Sequence, residues 1–197
     1  MARTRTFLGI SLSDGLRQRL AAMQQTLSRT GARVLWTQPE AMHVTLLFLG
    51  DLDDQKLVKV CQAVDRQTTR FPRFAMAIRG LGGFPTPRRP KILWAGIHDG
   101  ATELVQIYQH FEQLFAESIG YQPEERDYTP HITLGRIKAD EASQRIAHEL
   151  PRYSDHAFGD MPVSEIHVFR SELRREGPEY TVIARGQLSA ERPPSTE

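Results

Sequence analysis

Two short segments hold the residue types and spacing that chemistry needs: His43-Val44-Thr45 and His131-Ile132-Thr133. Residues two apart on a strand share a face, so His43 points with Thr45 and His131 with Thr133. An imidazole, with an ordinary pKa of about 6.5, takes or gives a proton near neutrality. Two of them divide the work between a base and an acid, and each such transfer is worth typically ~10²–10⁴-fold. Threonine hydroxyls donate to the non-bridging oxygens of a phosphoryl group and hold it in line. The set suits a phosphodiester, and a 2′,3′-cyclic phosphate above all, because its ring strains the leaving bond. Zinc is the rival use of the two histidines. Neither has a third ligand at the usual spacing, nor a His-x-x-x-His or Cys pair, so neither metal nor cofactor is expected.

The elements that must position these residues repeat. Thr6 to Leu12 reads as a strand. Leu16, Leu20, Met23 and Leu27 then recur at helical spacing behind Ser13-Asp14 and stop at Gly31. His43 to Leu49 is the next strand. Asp53 or Asp54 caps a helix bearing Leu57, Val60, Cys61 and Val64, and Phe74 to Leu81 is again extended. Leu81 to Pro90, with its glycines and prolines, reads as a loop dividing the halves. Beyond it, Lys91 to Ile97, a helix from Leu104 to Phe115 ended by Gly120, the strand His131 to Ile137 and a weaker helix from Asp140 repeat the order. Val163 to Arg170 and Tyr180 to Leu188 close the chain, as a hairpin through Arg175-Glu176-Gly177-Pro178. The expected fold is α+β, a pseudo-twofold duplication of a β-α-β-α-β unit. Residues 1–188 form one domain with halves at about 1–81 and 91–188, and 189–197 form a loose tail.

Composition bounds the class. The 197 residues carry 25 Lys plus Arg, 24 Asp plus Glu and 40% hydrophobic residues, the profile of a soluble globular chain and not of a disordered one. The lone Cys61 excludes an internal disulfide and reads as a small buried hydrophobe. No stretch approaches the ~18 apolar residues of a membrane span, and Phe7 to Ile10 is too short for a signal peptide. A cytoplasmic monomer with no membrane partner is expected.

Five stretches are distinctive: Arg5 to Ile10; Trp36 to Gly50 around the first His-x-Thr; Arg89 to Gly96; Tyr128-Thr129-Pro130-His131-Ile132-Thr133-Leu134-Gly135-Arg136; and Ser171 to Tyr180. Together they resemble the 2H phosphoesterase superfamily. Within it they resemble the RNA 2′,3′-cyclic phosphodiesterases historically called 2′-5′ RNA ligases. The resemblance implies a bilobal fold of largely antiparallel sheets around a central groove. It implies metal-independent opening of an RNA 2′,3′-cyclic phosphate end, on tRNA fragments for example, to a 2′-phosphomonoester, with reversible 2′-5′ ligation by the same groups. By it, His43 is the proton donor, His131 the proton acceptor, and Thr45 and Thr133 bind phosphate oxygens. Gly135 stands where the resemblance leads one to expect a larger residue, which suggests a more open wall beside Arg136.

Arg136 would also bind substrate. On an ideal strand it faces away from His131, and it reaches the phosphate only if Gly135 bends the strand. Phe48 likewise alternates away from His43 and reads as core, while Trp36 and Tyr128 are open as base-stacking residues. His98, His110, His148 and His156 read as turn or surface residues, and His167 as solvated. Arg70, Arg73, Arg79, Arg88, Arg89 and Lys91 form a run without an acidic residue, a candidate contact to the RNA backbone. The alternatives are a 2H enzyme for a small cyclic phosphate nucleotide and a non-catalytic RNA-end binding module.

Overall fold

The computed structural model describes residues 3–123, 127–174 and 177–190. In chain order these form β1 (Thr4–Ser11), α1 (Asp14–Ser28), β2 (Val34–Trp36), β3 (His43–Leu52), α2 (Asp54–Gln67), β4 (Phe74–Thr86), β5 (Arg89–Ile97), α3 (Ala101–Ile119), β6 (His131–Ile137), α4 (Asp140–Glu149), β7 (Ala157–Val163), β8 (Glu165–Arg174) and β9 (Gly177–Gln187). The strands make one sheet in the order β7-β4-β5-β6-β3-β1-β8-β9, with β2 added onto β6 and every pair of named strands antiparallel.

The sheet buries one face under the helices. Leu8, Ile10, Val44, Leu46, Leu93, Ile132 and Leu134 sit at 8% exposure or less in a core that takes Leu16 and Leu20 from α1, Val60 and Val64 from α2, and Phe111 and Phe115 from α3. Burying such a side chain is worth roughly 1.5–3 kcal/mol, enough to fix which face of each strand is left for the groove. Two helix ends follow their sequence signals, while Ser13 before α1 makes no side-chain cap bond and α4 is preceded by Ala139 rather than capped by Asp140. The Asp53 carboxylate accepts from the Lys56 N–H at 2.8 Å, and α3 stops at Gly120 with φ +70°. Cys61 packs half-buried against the core, where burial raises its thiol pKa. Among the described residues no helix is long and apolar enough to cross a membrane.

The duplication is present, with its last strands exchanged. β1-α1-β3-α2-β4 matches β5-α3-β6-α4-β8, yet β4 lies beside β5 and β8 beside β1. Each spatial lobe is therefore completed by the final strand of the other sequence half. The 81–90 segment is no loop: β4 runs to Thr86, turns, and returns as β5. Its glycines admit neighbours. A Cβ on Gly82 would strike the Trp94 ring and one on Gly83 would strike Pro90. β7, which sequence reasoning missed, is an edge strand on β4, a place where its Gly159 and Pro162 are tolerated. The closing hairpin is as expected, with Arg174 paired to Gly177; its turn residues 175–176 and the tail beyond 190 lie outside the described residues.

Candidate active site

β3 and β6 meet at the middle of the sheet through the pair Val44–Ile132. Carried one residue either way, that register sets His43 opposite Thr133 and Thr45 opposite His131. Directly opposed Cβ atoms lie about 4.5–5.5 Å apart, so four side chains converge on the open face about a local twofold axis.

The two histidines are held alike. The Nδ1 of His43 hydrogen-bonds the Ala41 carbonyl at 2.8 Å, and the Nδ1 of His131 the Thr129 carbonyl at 2.7 Å, each two residues back. A carbonyl only accepts, so each Nδ1 carries its proton and the neutral ring turns a bare Nε2 outward. On His43 that Nε2 accepts from the Thr45 hydroxyl at 2.9 Å. Among the described residues none hydrogen-bonds the Nε2 of His131.

Aromatic rings floor both imidazoles. Phe7, Tyr180 and Phe169 lie 4.7, 4.9 and 5.9 Å from His43, and Phe84 and Trp94 lie 5.1 and 6.2 Å from His131. Burial accordingly lowers both imidazole pKa values. The carbonyl hydrogen bond opposes this in each, and the charge of His131 lowers His43 further. Tyr128, three residues before His131, donates to the Thr45 carbonyl at 2.8 Å and stacks on Tyr108 at 4.4 Å, tying the two motifs together from below. It is a brace, not a stacking platform, and burial drives its phenol pKa up.

A bulge follows each motif and changes what can reach the site. Gly9 pairs with Thr45 but Leu8 with Leu47, so Leu46 is an extra residue; Trp94 pairs with Thr133 but Leu93 with Gly135, so Leu134 is extra. One extra residue inverts the alternation beyond it. Phe48, expected in the core, therefore emerges on the His43 face with the Arg5 guanidinium 4.7 Å from its ring centre. Arg136 emerges on the His131 face in the same way. Gly135 does not leave an open wall. β2 fills the space, and a Cβ there would stand 2.6 Å from Val34 and 3.1 Å from Trp36.

These residues border a groove of ≈ 810 Å³ lined by His43, Thr45, Phe48, Thr133 and Arg136, with Trp36 on the β2 side and Tyr180 on the β9 side. His131 stands beside it and is not part of its lining. The basic run from Arg70 to Lys91 contributes nothing to this groove. Arg79 is paired with Asp155 at 2.6 Å and Arg70 leans on Gln67. The cations that line it are Arg5, Arg136 and Arg174, from three separate strands, which is why a linear charge count missed them. His167 is not solvated. It is buried, between the Ser11 hydroxyl at 2.8 Å and the Glu165 carboxylate at 2.7 Å. His110 is half-buried against Phe71, and its Nε2 is buried without a hydrogen-bond partner among the described residues. Among the described residues no three His, Cys, Asp or Glu side chains gather to hold a metal ion.

The sequence profile described as "LigT like Phosphoesterase" matches this chain twice, over residues 10–94 and 98–180, with one His-x-Thr in each match. The chain belongs to the LigT-like phosphoesterase family. Its relatives in this family include the RNA 2′,3′-cyclic phosphodiesterase of Methanothermobacter thermautotrophicus, 36% identical over 91% of this chain and 96% of that one. The same named enzyme of Aeropyrum pernix is 33% identical over 84% and 92%. Among solved structures, a Thermus thermophilus protein superposes with a TM-score of 0.77 at 28% identity over 95% and 99% of the two chains. Escherichia coli LigT shares the fold at a TM-score of 0.76 and 21% identity, over 96% and 99%. The bilobal α+β fold expected from the 2H resemblance is thus the fold of this family.

Proposed function

We propose that the protein opens the 2′,3′-cyclic phosphate at the end of an RNA, leaving a 2′-phosphomonoester, by two-histidine acid–base chemistry without a metal. The observation that carries this is the convergence of two His-x-Thr faces about Val44–Ile132, each imidazole fixed by its Nδ1 with a bare Nε2 turned outward. The names of the Methanothermobacter and Aeropyrum relatives supply the substrate class.

The two histidines differ in ways that support distinct roles. The Nε2 of His131, which meets no hydroxyl among the described residues, takes a proton from water as the water oxygen attacks phosphorus. The P–O3′ bond breaks, its electron pair stays on O3′, and protonated His43 delivers the Nε2 proton there. O3′ belongs to the ribose, so the acid must stand on the nucleoside side. The groove with room for a nucleoside is lined by His43. Thr45 and Thr133 donate to the non-bridging oxygens and Arg136 balances the developing charge. Phe48, flattened beneath Arg5, offers a face to the terminal base.

Burial keeps both imidazoles neutral in the free protein near pH 7, so the proton on His43 must be drawn in by the anionic phosphodiester itself. The test is turnover of a cyclic-ended oligonucleotide in EDTA with the product phosphate located. A 2′-phosphate is expected; a 3′-phosphate, or loss of activity in EDTA, overturns the proposal.

A further inference from the structure

Large apolar side chains standing in solvent are seldom clustered without a reason. Among the described residues four are exposed, and three of them, Leu173 at 76%, Leu35 at 60% and Phe48 at 37%, line the same groove. Phe48 is taken up by the terminal base. Leu35 and Leu173 have no such use: they stand on β2 and toward the end of β8, on elements that carry neither histidine.

Their positions are enforced. β2 is held to β6 by the Val34–Ile137, Leu35–Arg136 and Trp36–Gly135 pairs, and the buried Gln24 amide donates to both the Thr37 and Leu134 carbonyls at 2.8 Å. The β8–β9 hairpin is braced around Leu173 by Arg174 paired with Glu172 at 2.6 Å and Glu179 at 3.1 Å. The groove also holds three arginines against two carboxylates, Glu40 and Glu179. Arg5 and Arg136 line it, while of its two carboxylates Glu179 is already held by Arg174. Its ≈ 810 Å³ lies toward the upper end of the ~300–1,000 Å³ typical of a pocket for one small ligand.

We propose that Leu35 and Leu173 seat the bases upstream of the cyclic end, so that the substrate is the end of an oligonucleotide rather than a mononucleotide. This rests on the RNA cyclic-phosphate reading. An upstream nucleoside offers an apolar face for the leucines and a phosphate for the arginines, and the groove reaches His43. Leucine has no hydrogen-bonding group with which to read a base edge, so these seats accept any base.

The experiment compares kcat/KM for a 2′,3′-cyclic mononucleotide with that for cyclic-ended di- and trinucleotides, using the full chain and its Leu35→Ser and Leu173→Ser variants. The parent chain is expected to prefer the longer substrates by roughly tenfold or more, the worth of one well-buried apolar contact. Each variant shrinks that ratio, and exchanging the upstream bases leaves it unchanged. Equal turnover of all lengths, or ratios unmoved by both substitutions, overturns the proposal. Turnover of none of the substrates overturns the RNA cyclic-phosphate reading itself and the upstream seats with it. A dimer in sedimentation that either substitution dissolves assigns the leucines to a second copy of the chain and also overturns it. Circular dichroism and thermal unfolding of both variants separate a lost seat from a lost fold.

Discussion

Gly135→Ala is a small substitution with a calculable consequence. The Gly135 φ is not among the positive values, so the backbone accepts alanine, and only space opposes it. The new Cβ would lie 2.6 Å from Val34 Cγ1, 3.1 Å from the Leu35 carbonyl oxygen and 3.1 Å from Trp36 Cε3. Carbon atoms in good contact sit about 3.5–4.0 Å apart. Relief requires Val34 and its neighbours on β2 to move away by up to about an ångström, which strains the pairing of β2 with β6 and the Thr37 N–H to Leu134 carbonyl bond at 2.9 Å. Overpacking of this kind costs about 1–3 kcal/mol. Urea unfolding should show an unfolding free energy lowered by that amount, read as an earlier midpoint with an unchanged slope. Because β2 forms a groove wall while both histidines lie on other strands, KM for a cyclic-ended oligonucleotide should rise more than kcat falls. Leu47, at the equivalent step after the first motif, is itself core at 2% exposure, so nothing general about the motif demands glycine. An alanine variant as stable and as active as the parent would refute the claim that β2 is what Gly135 makes room for.

Two further outcomes follow from the same geometry. Tyr128→Phe keeps the stack on Tyr108 and removes only the bond to the Thr45 carbonyl; stability measured by urea unfolding should fall by about 1–2 kcal/mol, with a loss of kcat as Thr45 and His43 loosen, and unchanged stability and kcat would remove the brace. The profile of kcat/KM against pH should be a bell, because the free protein needs one imidazole protonated and the other neutral. Since burial lowers both pKa values, its maximum should lie on the acid side of 6.5, activity falling as pH rises through the acid's lowered pKa and as pH falls through the base's; a maximum near pH 8 would contradict this.

The pairing of the two motifs was legible because it is local. His43 with Thr45 and His131 with Thr133 need only the two-residue period of a strand. Their repetition in matching halves made the pair visible without any structure. Phe48 was misread as core, and Arg136 could be assigned to the phosphate only on condition of a bend, both for one cause. Each lies just past a bulge, at Leu46 and Leu134, and an inserted residue leaves no mark in an apolar run. Only Gly135 hinted at it. The exchange of β4 and β8 between lobes was invisible because periodicity identifies strands and not their neighbours. Gly82 and Gly83 read as loop signals, whereas they make room for Trp94 and Pro90 within a hairpin. The groove's arginines come from β1, β6 and β8, and such a cluster exists only after folding. The contiguous basic run, the stronger signal in sequence, lines no part of the groove.

The most direct test of the two-histidine account separates acid from base by the leaving atom. A cyclic-ended substrate with sulfur in place of O3′ releases a thiolate, which needs no proton from the protein. His43→Ala and His131→Ala should each lower kcat/KM on the oxygen substrate by about 10²–10⁴-fold. On the sulfur substrate, His43→Ala should recover most of its lost activity and His131→Ala should not. Recovery by His131→Ala instead, or by neither variant, would contradict the assignment of His43 as the acid on the nucleoside side.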